Sequence, residues 1–117
     1  MKTLLLIDDD PVMTEAAREI LEMLDTPILV ANDGREGLRL FADNQQEIGL
    51  VVLDFMMPGI SGEETLKRLR KIDPTVPVLM SSGYDTRGLA VTYGIGSMQK
   101  PYGIKQLEQV VSKYLAE

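Results

Sequence analysis

At 117 residues with a 44% apolar share, the chain reads as one compact domain, 1–117, with no room for a second. It has no cysteine, which excludes disulfides and thiolate chemistry. It has no histidine, which excludes Ser-His triads and any role as a histidine-borne phosphoryl carrier. A net charge of −6 without a five-residue basic run argues against direct nucleic-acid binding, and every uncharged stretch is strand-sized, too short for membrane insertion.

In chain order, Met1 to Ile7 lacks the long apolar region of a signal peptide, and Thr3 to Ile7 suits a strand buried on both faces. Asp10 as N-cap and Pro11 in the first turn open a helix. Its apolar positions are Val12, Ala16, Ile20 and Leu24, beside Met13, Ala17 and Leu21. Pro27 to Ala31 is the second strand. Asp33 caps a helix to about Asn44, with Leu38 and Phe41 inward and Gly37 weakening it. Gly49 to Leu53 is the third strand, all apolar. Ser61 and Glu64 form a capping-box pair, followed by inner positions Leu66, Leu69 and Ile72. Pro77 to Ser81 is the fourth strand, Asp85 to Tyr93 a short helix interrupted by Gly88, and Gly96 to Gln99 the fifth strand. Ile104, Leu107, Val110, Val111, Tyr114 and Leu115 line a final amphipathic helix.

Five strand-helix units predict an α/β fold, a five-stranded parallel sheet with helices on both faces. Ligands in such sheets bind beyond the carboxyl ends of the strands. The residues there are Asp8 and Asp9, then Asp54, then Ser81 and Ser82, then Lys100. A single polar residue at a strand end is ordinary loop chemistry, and Asp10 is accounted for as a cap. Three converging carboxylates are different, because each pair at ~4 Å costs about 4 kcal/mol at an intermediate dielectric. One carboxyl is protonated or a cation neutralises the set. All-oxygen ligands suit a hard ion, Mg²⁺ before Mn²⁺ or Ca²⁺. Such an ion beside a carboxylate nucleophile, with Lys100 and a Ser82 hydroxyl, fits phosphoryl transfer.

Those residues stand in four ordered motifs. They are Leu5-Leu6-Ile7-Asp8-Asp9-Asp10, Val51-Val52-Leu53-Asp54-Phe55-Met56-Met57-Pro58-Gly59-Ile60-Ser61-Gly62, Pro77-Val78-Leu79-Met80-Ser81-Ser82-Gly83-Tyr84 and Gln99-Lys100-Pro101-Tyr102. Over its whole length the chain resembles the response-regulator receiver domain of two-component signalling, a flavodoxin-like fold with strand order 2-1-3-4-5. The resemblance implies a cytoplasmic phospho-acceptor that catalyses only its own phosphorylation and dephosphorylation. Asp54 would accept the phosphoryl group, and Asp9, Asp54 and the Met56 carbonyl would ligate Mg²⁺, with Asp8 acting largely through water. Ser82, followed by glycine, would be the switch hydroxyl rather than Ser81, and Lys100 would pair with the phosphoryl oxygens. The Lys100-Pro101 bond would be cis. The implied donor is a sensor histidine kinase or a histidine phosphotransfer protein, acting on a monomer or weak homodimer with an unnamed output partner.

Two features depart from the family pattern. Ser97 occupies the place three before the lysine where receivers carry Phe or Tyr, with Tyr84, Tyr93 and Tyr102 as candidate substitutes. The segment Gly83 to Gly96 is short, which puts the usual output face in doubt. Met56 and Tyr84, two residues beyond Asp54 and Ser82, are bulky and cannot orient a hydrolytic water, which predicts slow loss of the phosphoryl group. The alternatives are a degenerate receiver acting as an unphosphorylated interaction module and an aspartyl-nucleophile phosphatase using Asp8-Asp9-Asp10-Pro11-Val12. Enzymes of the latter kind are normally much longer. A flavodoxin-like nucleotide binder would need a Gly-rich loop after the first strand, which is missing.

Overall fold

The computed structural model describes residues 1–117. Its strands are β1 (Thr3–Ile7), β2 (Ile28–Ala31), β3 (Ile48–Asp54), β4 (Val78–Ser82) and β5 (Gly96–Gln99). Its helices are α1 (Pro11–Met23), α2 (Gly34–Asp43), α3 (Gly62–Ile72), α4 (Arg87–Thr92) and α5 (Ile104–Val110). The last helix continues as a π-helical turn over Val111–Leu115, closed by the Ala116 amide donating to the Val111 carbonyl at 3.1 Å. The strands form one parallel sheet in the order β2-β1-β3-β4-β5, as expected.

Strand alternation sends successive side chains to opposite faces, and two apolar layers result. Leu4, Leu6, Leu50, Val52 and Leu79 pack with Ala17 and Leu21 of α1, and with Leu107, Val110, Val111 and Leu115 from the C-terminal helix. Leu5, Ile7, Val51, Leu53 and Val78 pack on the other face with Phe41 of α2 and Leu66 and Leu69 of α3. Each fully buried aliphatic contributes roughly 1.5–3 kcal/mol. The central strands therefore dominate the core. All five residues of β1 are buried, whereas β5, on the sheet edge, buries only Met98.

Several sequence expectations need correction. β3 and β4 each run one residue further than predicted, so Asp54 and Ser82 are strand residues rather than loop residues. In α1 the buried face is Thr14, Ala17 and Leu21, while Val12 and Ala16 face solvent. Ile20 and Leu24, further along the Val12 stripe, do pack against the core at its margin with Met13, so only the N-terminal half of that stripe is turned to solvent. Ile72 and Ile104 are likewise exposed, at helix ends. Only half of the Ser61–Glu64 box forms: the Glu64 amide donates to Ser61 Oγ at 3.0 Å, but the Glu64 carboxylate is drawn to Arg68 instead. A more reciprocal arrangement opens α2, where the Glu36 amide donates to Asp33 and the Asn32 amide donates to Glu36. α4 is two residues shorter at its start than predicted and has no side-chain cap.

Candidate functional site

Parallel pairing fixes which strand ends are neighbours. Ile7 of β1 stands opposite Leu53 of β3, which sets the Asp8-Asp9 segment beside Asp54, and Asp54 stands opposite Ser81 of β4. Ser82 stands opposite Gln99 of β5, just before Lys100, whose amide donates to the Ser82 carbonyl at 2.7 Å. Four separated segments thus meet at one edge of the sheet.

One oxygen from each of Asp8, Asp9 and Asp54 lies within 4.8 Å of the others. Asp8 is 0% exposed and Asp54 4%, while Asp9 is open to solvent. The Asp10 amide donates to Asp8 Oδ1 at 2.9 Å, and the Met56 amide donates to Asp54 Oδ1 at 2.8 Å. Lys100 Nζ sits 2.7 Å from Asp8 Oδ2 and 3.1 Å from Asp54 Oδ2. Burial pushes the Asp54 carboxyl above its ordinary range, against the pull of the Met56 amide and of Lys100, with the Asp8 charge adding to the rise. Burial works against the Lys100 ammonium too, yet hydrogen bonding and charge from Asp8, then Asp54, hold it above the ordinary lysine range.

Counted in their ionised forms, three carboxylates against one ammonium give a formal charge of −2 at a site where Asp8 and Asp54 are buried. Oxygen-only donors and that charge deficit fit a hard divalent cation. Asp10 stands apart from the set: its carboxylate accepts from the Val12 and Met13 amides and caps α1, as the sequence predicts.

The two serines differ. Ser82 Oγ accepts from the Tyr84 amide at 3.1 Å, at the mouth of the β4–α4 loop. Ser81 is 0% exposed, and its hydroxyl shares a hydrogen bond with the Tyr102 hydroxyl. Sequence reasoning left Ser81 and Tyr102 unconnected. The available signal was alternation, which sends Ser81 to the face of Leu79, where Tyr102 packs. Burial pushes the Tyr102 phenol up to about 12, with the Ser81 hydrogen bond pulling the other way.

Tyr93 lies edge-on to Phe55, ring centres 5.4 Å apart, and donates to Glu63 Oε2 at 2.8 Å; Tyr84 is 72% exposed. Ser97 is half-buried opposite Met80. In the loop over the site Gly59 takes φ +82°, a left-handed conformation that glycine adopts without strain. The Lys100-Pro101 peptide is cis.

A sheet of this order with an acidic pocket at its carboxyl edge is the architecture of a signalling receiver, and comparison with known proteins agrees. The family model described as the response regulator receiver domain matches residues 4–112, and the chain belongs to that family, the receivers of two-component signalling. The transcriptional regulatory protein CpxR of Escherichia coli is 37% identical over 111 residues, covering 92% of this chain and 46% of CpxR. The chain therefore spans less than half the length of that relative. The solved receiver domain from the hybrid histidine kinase CckA is 32% identical, with a TM-score of 0.79 over 95% of this chain and 96% of that one. Response regulator TrrA from Thermotoga maritima, solved in complex with Mg(2+)-BeF, is 30% identical, with a TM-score of 0.83 over 97% and 98%.

Proposed function

We propose that residues 1–117 act as a single receiver domain that takes a phosphoryl group from a phosphohistidine onto Asp54. The supporting observation is one ammonium, Lys100, held between two buried carboxylates, with a third carboxylate inside the same 4.8 Å set. Carboxylates that outnumber the ammonium three to one favour a divalent cation at the same place.

The chemistry follows from the residues. An Asp54 oxygen forms the new O–P bond as the donor's N–P bond breaks, and the bonding pair leaves with the imidazole. The Met56 amide and Lys100 favour the Asp54 anion that this attack requires and offset part of the effect of burial. Asp9, Asp54 and the Met56 carbonyl, with Asp8 through water, would hold Mg²⁺, or Mn²⁺ or Ca²⁺ in its place, and the ion would supply charge neutralisation for the phosphoryl oxygens. Lys100 exchanges part of its pairing with Asp54 for a phosphoryl oxygen. Ser82 gives up the Tyr84 amide and donates its hydroxyl to the phosphoryl group, which re-aims the β4–α4 loop.

The donor is a sensor histidine kinase or a histidine phosphotransfer protein, and the setting is cytoplasmic. CckA being a hybrid kinase and CpxR a transcriptional regulator, the domain serves either within a longer protein or on a separate output partner, as a monomer or weak homodimer. The complete set of Asp8, Asp9, Asp54, Ser82 and Lys100 weighs against an unphosphorylated interaction module.

The test is the intact mass after incubation with acetyl phosphate, with Mg²⁺ or chelator, alongside Asp54→Asn. We expect one added phosphoryl group that needs the metal and is absent in the variant. No gain in the wild-type chain overturns the reading.

A further inference from the structure

Ser81 and Tyr102 have no task in that chemistry, yet they lie against it. Ser81 is the cross-strand neighbour of Asp54 on the same face of the sheet, and Tyr102 follows Lys100 by two residues. Lys100 leaves the end of β5, two strands away from β3, a gap of about 10 Å at ordinary strand spacing. Its side chain must cross the last two residues of β4, Ser81 and Ser82, to bring Nζ to Asp54 and Asp8. The hydrogen bond between Ser81 and Tyr102 ties the segment after β5 to that same point of β4.

Packing alone does not require the two hydroxyls. Tyr102 is 9% exposed among Leu79, Met98 and Leu107, a site a phenylalanine ring would also fill. Two buried hydroxyls cost free energy unless they satisfy each other. The phenol is also near enough to feel the charges of Lys100, Asp8 and Asp54.

We propose that Ser81 and Tyr102 are positioning residues, whose hydrogen bond clamps the segment after β5 onto β4 and so aims Lys100 at Asp54 and Asp8. The proposal rests on Asp54 as the acceptor, and its test separates the two. Tyr102→Phe and Ser81→Ala should each slow phosphorylation by acetyl phosphate about three- to ten-fold, the range of one hydrogen bond. Because both remove the same bond, the double variant should be no slower than either single. Ser81→Thr keeps a hydroxyl and should stay near the wild-type rate. Mg²⁺ binding, measured with the metal alone, should not weaken in any variant, because the carboxylates stay in place and only the ammonium that competes with the metal for them is freed.

In parallel, spectra of chains carrying ¹³C-labelled lysine, taken without any phosphoryl donor, report on Lys100 directly. Its ε-methylene resonance should stand apart from those of exposed lysines in wild type and Ser81→Thr, and move toward them in Tyr102→Phe and Ser81→Ala. An unmoved resonance, unchanged phosphorylation rates or losses that multiply in the double variant each overturn the clamp. A wild-type chain that accepts no phosphoryl group overturns the acceptor reading alone, and the lysine resonance then decides the clamp.

Discussion

The Tyr102 phenol titrates near 10 in an unfolded chain and at about 12 in the fold, because burial disfavours the phenolate. The neutral form is favoured in the folded state, so its stabilising contribution is complete below pH 10 and disappears as pH rises through 12. A shift of that size corresponds to about 2–3 kcal/mol. Urea melts at stepped pH should therefore show wild type losing stability faster than Tyr102→Phe between pH 10 and 12; parallel loss would show that the phenol is not the group responsible. Met56 and Tyr84 act at the same scale on the other side of the site. Both are 72% exposed at the loops beyond Asp54 and Ser82, and neither can hold a water in line for attack. Met56→Asn combined with Tyr84→Glu should speed loss of the phosphoryl group by about 10- to 100-fold, at or below the lower end of what a positioned base contributes. The decay of the phosphorylated mass after donor removal measures it, and an unchanged decay would sink the idea of slow turnover. The carboxylates and Ser82 were legible in the sequence because each follows or ends a strand-length apolar run, and Lys100 because it follows the short fifth strand segment Gly96 to Gln99. The Ser81–Tyr102 bond was not, because it depends on which face of β4 meets the segment after β5, a tertiary fact with only alternation as its sequence trace.

Helices and strands were legible where the apolar period was unambiguous, and the exceptions have physical causes. In α1 two adjacent stripes fit the helical period equally well; Ala17 and Leu21 enter the core, Ile20 and Leu24 lie at its margin, and Val12 and Ala16 stay in solvent. Glycine in a helix reads as weakness, yet Gly37 is in α2 for a reason. A Cβ there would lie 2.4 Å from Ile7 Cδ1, so the glycine lets α2 press onto the strand that leads into Asp8. Gly88 in α4 has nothing within 4 Å of its would-be Cβ and gains nothing from being bare. The same substitution should therefore have opposite signs at the two positions. Gly37→Ala should lose roughly 1–3 kcal/mol through overpacking, and Gly88→Ala should gain about 0.5–1 kcal/mol from helix propensity. Denaturant midpoints of the two variants decide the matter, and a stabilising Gly37→Ala would refute the packing account.

Over the whole molecule, the net charge of −6 and the excess of carboxylates at the acidic set predict that a divalent cation will stabilise the fold. At a hundred times its dissociation constant, Mg²⁺ should add about 2.7 kcal/mol by mass action. Asp9 is exposed, so Asp9→Asn should fold normally and lose most of that gain in thermal melts with and without the metal. An equal shift in wild type and variant would place the cation elsewhere. Stability is also graded across the sheet. β1 and most of β3 are sealed between two helical layers, whereas α4 spans six residues, buries only Ala90 and has no side-chain cap, beside a β5 that buries only Met98. Elements so thinly held open locally at a fraction of the global unfolding free energy. The α4–β5 margin can thus exchange its amide hydrogens and sample other arrangements while Asp8 and Asp54 stay fixed, which makes this receiver a rigid chemical centre with a loosely held rim.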